Sequence, residues 1–275
     1  MLSSSLRTVT LVTAFLVGSI SSPAFAEDTT FTAKNLNEQS VLAATWMQAS
    51  GEFKALSYQA FNLAKMQFDA FSDSHTGNKK IAIVVDADEA VIDNGAYQAW
   101  LIDKDFGYSS STWAKWMDAG EATAMPGATE FLNYVAKSGG EVFYVTNRKV
   151  VGLEGTRKNL IELGFPNVDD DHLMLRTSTS DKEPRRQAVQ ANYDIALFIG
   201  DNLNDFSSDF HTKSLEDTLA AVEKNKALFG TQFIMLPNPA YGDWEGKVYD
   251  NNWGASPAEK SQMRKDRLRI WEPAE

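Results

Sequence analysis

Two short apolar runs, Ile81-Ala82-Ile83-Val84-Val85 and Ile195-Ala196-Leu197-Phe198-Ile199, each break off into acidic residues. Runs this short and uniformly apolar read as strands buried on both faces, the situation a parallel sheet provides. The first ends at Asp86-Ala87-Asp88, the second at Gly200-Asp201-Asn202-Leu203-Asn204-Asp205. Open parallel sheets hold ligands beyond the carboxyl ends of their strands, so both acidic runs should face one crevice. Carboxylates gathered there repel one another unless a cation intervenes. Mg²⁺, a hard ion that works with one or two carboxylates and substrate phosphate, answers that need.

The rest of the chain supports such a sheet. Leu42, Trp46, Ala49, Phe53, Leu56, Ala60 and Leu63 recur at steps of four and three, which predicts an amphipathic helix over 37–71, or two broken near Gly51. Strands are expected at 81–86, 141–146, near 173–175, 195–200 and 233–236. Helices are expected at 128–138, 153–163, near 184–191 and 214–228. Residues 237–252 read as loop and 257–270 as a charged closing helix. This alternation implies an α/β fold with a doubly wound parallel sheet and a small helical cap. The 37–71 helices and the aromatic-rich 97–124 insertion are the candidate cap segments within one domain, 27–275.

Residues 1–26 have the three parts of a secretory signal: Arg7, the apolar Val9–Val17 stretch, and Ala24-Phe25-Ala26 before the cut. Cleavage near Ala26-Glu27 would leave a periplasmic or secreted protein without a membrane anchor. The chain has no cysteine, so disulfides, thiol nucleophiles, zinc–thiolate sites and lipid attachment at cysteine are excluded. The formal net charge of −11 argues against polynucleotides as partners; an anionic substrate needs a local positive pocket.

A carboxylate at Asp86 can attack phosphorus and form an aspartyl-phosphate. Asp88, two residues on, projects to the same side of an extended chain and can serve as acid and then base. Thr146-Asn147-Arg148 leaves the 141–146 strand. Its Thr and Asn could hold phosphate oxygens and Arg148 could bind anions, or the group could simply satisfy a strand-to-helix turn. Lys182, just ahead of Pro184 at a helix start, can neutralise transferring phosphate. Asp201 can ligate a metal, and Asp205 can ligate it directly, through water, or hold Lys182. His75, His172 and His211 lie in no motif, and no Gly-x-Ser-x-Gly, Walker or Gly-x-Gly-x-x-Gly motif is present.

Asp-x-Asp, Thr-Asn, Lys and Gly-Asp-x-x-x-Asp resemble, in order, the four motifs of the haloacid dehalogenase superfamily. Asp86-Ala87-Asp88-Glu89-Ala90-Val91-Ile92-Asp93-Asn94, Val145-Thr146-Asn147-Arg148 and Gly200-Asp201-Asn202-Leu203-Asn204-Asp205-Phe206 are similar to its class C bacterial acid phosphatases. So are Trp46–Ser50, Tyr58–Asn62 and Pro126-Gly127-Ala128. The resemblance implies a Rossmannoid core and a secreted, Mg²⁺-dependent, 5′-nucleotidase-like acid phosphatase of broad specificity. It implies Asp86 as nucleophile and Asp88 as acid/base, with Thr146, Asn147 and Lys182 at the phosphate. The metal would be held by Asp86, the backbone carbonyl of Asp88, Asp201 and Asp205. Trp113 and Tyr241 would sandwich a nucleobase or aryl group, so nucleoside monophosphates and aryl phosphates are the implied partners, and a homodimer the implied assembly. Three departures stand out. Ala90 replaces the family's usual Thr, the lipid-bearing Cys of many members is missing, and the Lys182–Asp201 spacing is short. A phosphotransferase using the same site, or a low-activity binding protein on a phosphatase fold, remains an alternative.

Overall fold

The computed structural model describes residues 30–273, so the leader expected at 1–26 lies outside the described residues. The chain starts with helices α1 (Ala33–Glu38), α2 (Val41–Ala49) and α3 (Gly51–Ser74). The predicted break falls at Ser50, whose extended backbone ends α2 and whose Oγ caps α3 by accepting from Phe53 N at 3.0 Å. The predicted apolar stripe is only partly core. Phe53, Ala60, Phe61, Ala64 and Phe68 are buried, but Leu42 and Leu56 are 80% and 42% exposed.

There follow β1 (Lys80–Val85), β2 (Ile92–Asp93), α4 (Gly95–Ile102), α5 (Ser110–Ala119), β3 (Thr123–Ala124) and α6 (Ala128–Lys137). Next are β4 (Glu141–Lys149), α7 (Leu153–Glu162), β5 (Leu173–Arg176), α8 (Glu183–Asn192) and β6 (Tyr193–Gly200). Helix α9 (Leu215–Lys224), β7 (Phe233–Met235), α10 (Asp243–Val248) and α11 (Pro257–Asp266) complete the order. The main sheet has five strands in the order β5-β4-β1-β6-β7, all parallel. Strands β2 and β3 form a separate antiparallel pair at the base of the insertion, too short for the sequence pattern to reveal.

β1 lies in the middle, and the chain winds to one side through β4 and β5 before returning to β6 and β7 on the other. Side chains alternate across it: Ile83 and Val85 join the core beneath α3 and α6, while Ala82 and Val84 pack with Val189 of α8. Ile83, Val84 and Val85 are each at most 3% exposed, worth roughly 1.5–3 kcal/mol apiece in burial. The strand reads as wholly apolar because both its faces are covered.

The insertion supplies α4 and α5, against which α2 and α7 respectively pack. Asn37 ties α1 to it, its amide donating to the carbonyls of Leu101, Lys104 and Phe106 at 2.9–3.0 Å. Helix α3 instead packs on β6, β7 and α6, as a layer of the sheet domain, which narrows the cap-like part of 37–71 to its start. Two further expectations change. Residues 237–252 contain α10, a turn and a half too brief to show periodicity. Strand β4 runs to Lys149 rather than ending at 146, with its register to β5 shifting between Val145 and Lys149. Among the described residues no helix is long and apolar enough to cross a membrane.

Candidate active site

Asp86 is the first residue past β1, and its N–H still donates to Ile199 O of β6 at 2.9 Å. Its carboxylate is therefore fixed at the seam between the two strands. Asp201 follows the end of β6, and a short 3₁₀ turn, Leu203–Asp205, brings Asp205 back beside it. Gly200 is needed for that return, since a Cβ there would collide with the Asp205 carboxylate. One carboxylate oxygen from each of Asp86, Asp201 and Asp205 lies within 4.8 Å of the others. The structure thus unites acids more than a hundred residues apart in sequence.

Lys182, immediately before α8, is buried among them. Its Nζ donates to Asp86 Oδ1 and lies 2.7 Å from Asp205 Oδ1. Burial alone would depress this ammonium, but Asp205 and Asp86 outweigh it and raise the pKa. Burial pushes the Asp86 carboxyl up to about 7, with Lys182 opposing and Asp205 and Asp88 adding to the rise. Asp201 is held well above the usual carboxylate range by burial, then by Asp205 and Asp86.

Three carboxylates against one ammonium leave surplus negative charge in a low-dielectric place. Asp205 has both oxygens committed, Oδ1 to Lys182 and Oδ2 to Asn202 N at 3.0 Å. Asp86 and Asp201 have one each committed, the latter to Asn238 Nδ2 at 2.8 Å. An all-oxygen, electron-rich donor set with two carboxylate oxygens to spare fits a hard divalent cation.

The Asp88 carboxylate is not part of this cluster. Its Oδ1 accepts from Arg148 Nε at 2.8 Å and Asn94 Nδ2 at 2.9 Å. The extension of β4 explains the placement of Arg148. With side chains alternating, Thr146 and Arg148 point into the protein and Asn147 and Lys149 point out. Thr146 is fully buried, its Oγ1 accepting from Arg148 N at 3.1 Å. The exposed Asn147 donates from Nδ2 to Ser180 O at 2.9 Å and accepts from Arg185 Nη2 at 2.7 Å, so its side chain is engaged by the segment around Lys182. Trp113 meets Tyr97 edge-on, centroids 4.9 Å apart, and lies 5.5 Å from the Arg148 guanidinium. The Tyr241 hydroxyl donates to the Glu89 carboxyl, which draws the segment after β7 onto the turn behind Asp86. Trp113 and Tyr241 thus approach Asp88–Glu89 from two different parts of the chain.

Two contributors escaped the sequence reading, and a third takes a different role from the one considered. Glu89 sits within the first motif, yet nothing local announced its burial or its left-handed backbone, φ 52°. Burial, then Asp88, pushes its carboxyl up to about 8 against the bonds from Tyr241 and Asn94. Asn94, also fully buried, bonds Asp88, Glu89, Arg148 and the Trp116 indole. Arg148, considered as an anion binder, is 2% exposed and faces inward; only its polar neighbours in sequence hinted at a role.

Residues 13–244 match the family model for the HAD superfamily, subfamily IIIB (acid phosphatase). The chain is also similar to solved structures of the class C acid phosphatase from Bacillus anthracis. One is 41% identical with a TM-score of 0.82, covering 86% of this chain and 99% of that one. A second, with tungstate bound, is 42% identical with a TM-score of 0.83 over the same shares.

Proposed function

This chain belongs to the acid phosphatases of HAD subfamily IIIB and is a phosphomonoesterase; on that premise we propose a secreted, Mg²⁺-dependent enzyme acting on nucleoside monophosphates and aryl phosphates. The observation that carries this reading is the Asp86–Lys182–Asp205–Asp201 cluster, all but Asp201 buried, at the carboxyl ends of two adjacent strands. Tungstate in the Bacillus anthracis relative supports it, since that oxyanion has the charge and shape of phosphate.

In the proposed reaction, an Asp86 oxygen attacks phosphorus and the bond to the leaving oxygen breaks. Asp88 passes its proton to that oxygen, releasing the alcohol. Asp88, now a base, takes a proton from water, whose oxygen attacks the phosphoryl group and frees Asp86 and phosphate. The buried Lys182 ammonium faces the negative charge on both sides of each step. Thr146, on the neighbouring strand β4, would hold a phosphate oxygen. Asp86, Asp201 and the carbonyl of Asp88 would hold Mg²⁺ directly and Asp205, its oxygens engaged by Lys182 and Asn202 N, through water; the ion when bound supplies positive charge against the phosphate and these carboxylates. The need for a protonated Asp88 at the start favours a mildly acidic optimum. The family's kinship supports a homodimer, and the pattern of residues 1–26 supports export.

Steady-state hydrolysis of 4-nitrophenyl phosphate and of nucleoside monophosphates, with Mg²⁺ and with chelator, is the test. Asp86→Asn is expected to lose about 10³-fold or more, and chelation to abolish turnover reversibly. Normal turnover by either preparation refutes the reading. Mass spectrometry of the exported protein should find Glu27 at its N-terminus.

A further inference from the structure

Arg148 turns its guanidinium inward, and each of its three nitrogens bonds a partner inside the protein. Nε and Nη2 both lie 2.8 Å from Asp88 Oδ1, Nη2 also donates to Asn94 Oδ1 at 2.9 Å, and Nη1 to Thr156 Oγ1 at 3.1 Å. The side chain is 1% exposed, against 17% for Asp88. All three nitrogens already hold protein partners, which argues against the simplest role for an arginine in a phosphatase site.

The geometry around Asp88 is one-sided. Arg148 Nε, Arg148 Nη2 and Asn94 Nδ2 converge on the same carboxylate oxygen, Oδ1. An oxygen with two lone pairs that already accepts from Arg148 Nε and Asn94 Nδ2, with Nη2 also close by, has no room for a proton, so Oδ2 is the oxygen that can carry one. Asn94 is itself held by Trp116 Nε1 at 2.7 Å and by the Glu89 carboxyl. Arg148 is held by Thr156 of α7, and the Trp113 ring lies against its guanidinium. Glu89, Asn94, Arg148 and Thr156 are all buried polar residues, and each is bonded within this group. Such networks fix a single conformation.

We propose that Arg148 is a positioning residue that, with Asn94, locks Asp88 so that its Oδ2 alone delivers the proton to the leaving oxygen. This rests on Asp88 being the acid/base. When Asp88 Oδ2 gives up its proton, the bond to hydrogen passes to the leaving oxygen. The charge left on Asp88 already faces the guanidinium. Arg148 thus acts through Asp88 and touches no substrate atom.

The distinguishing readout is how kcat/KM depends on the leaving group, because that ratio reports only steps through formation of the phosphoenzyme. A phenolate that is stable as an anion needs no proton; an alkyl alcohol does. For Arg148→Lys and Arg148→Gln we expect kcat/KM to fall about 10- to 100-fold for alkyl phosphates and less than about threefold for 2,4-dinitrophenyl phosphate. Thr156→Val, which removes only an outer bond, should give the same pattern in smaller measure, and covers the case in which Arg148 variants fail to fold. Melting curves establish folding in each case. An equal fall across all leaving groups would show a merely structural role and overturn the proposal. So would a raised KM with kcat intact, the mark of direct phosphate binding. Asp88→Asn separates the two levels of argument. If it fails to steepen the leaving-group dependence, the acid/base assignment itself is wrong; if it steepens it and neither Arg148 nor Thr156 variants do, only the role of Arg148 falls.

Discussion

Replacing Lys182 by Met would remove the ammonium set among the buried Asp86 and Asp205 and the half-buried Asp201 while keeping most of the side chain's volume. The ammonium bonds Asp86 and lies 2.7 Å from Asp205, and breaking a buried pair from one side costs about 3–5 kcal/mol. The pH dependence tests the electrostatics more sharply. In the metal-free wild type, the Asp86 carboxyl titrates at about 7, above its unfolded value of about 3.9. Its stability contribution is therefore present at low pH and lost as pH rises through about 7, after which the curve levels. Lys182 is the influence that holds this pKa down. Without it the folded-state pKa rises further, so the variant keeps losing stability above pH 7, by about 1.4 kcal/mol per pH unit. Between pH 7 and 8.5 the gap should widen by about 2 kcal/mol, from near 3 to near 5. For a chain of this size that is roughly 4–8 °C of melting temperature. Differential scanning fluorimetry of chelator-treated wild type and Lys182→Met from pH 5 to 9 reads it directly. Turnover should drop about 10²–10³-fold. A gap that stays constant with pH, or a variant melting within a degree of wild type, would refute the reasoning.

Two further outcomes follow from neighbouring residues. Glu89 titrates at about 8, so the wild type loses stability as pH rises from about 4.5 to 8, whereas Glu89→Gln does not titrate. The two should melt together near pH 4.5, with the variant ahead by a gap that widens to pH 8 and then holds; a variant less stable at every pH contradicts this. Trp113→Ala removes a candidate stacking face worth about 1–3 kcal/mol. KM for nucleoside monophosphates should rise about 5- to 150-fold while KM for glycerol phosphate changes little, and equal increases would exclude stacking.

The architecture was legible wherever a strand is covered on both faces. β1 and β6 announce themselves because burial on two sides permits nothing but apolar residues, and the acids that end them mark the crevice. Where local pattern and burial part company, the sequence misleads. Thr146-Asn147-Arg148-Lys149 is polar throughout and reads as a turn, yet it continues β4 with every second side chain inside. A buried guanidinium is stable there only because Asp88 and Asn94 of the segment after β1 and Thr156 of α7 meet it, and no local window contains that information. Leu42 and Leu56 fail in the opposite sense: they share the helical period of the core, yet among the described residues they stay exposed. Helix α10 stayed hidden because six residues are too few to display a period.

The separation in sequence between the members of the acidic cluster has a bearing on when this molecule becomes competent. Asp86 and Lys182 are 96 residues apart, and Asp201 lies farther still, so no fragment ending before β6 holds a reaction centre. During synthesis, the first acid waits for most of the polypeptide before its counterparts exist. Pairings this distant also form slowly, since loop closure must precede the contacts that reward it. Nascent and half-folded chains are therefore inert, and the onset of turnover during refolding should report the docking of β6 beside β1.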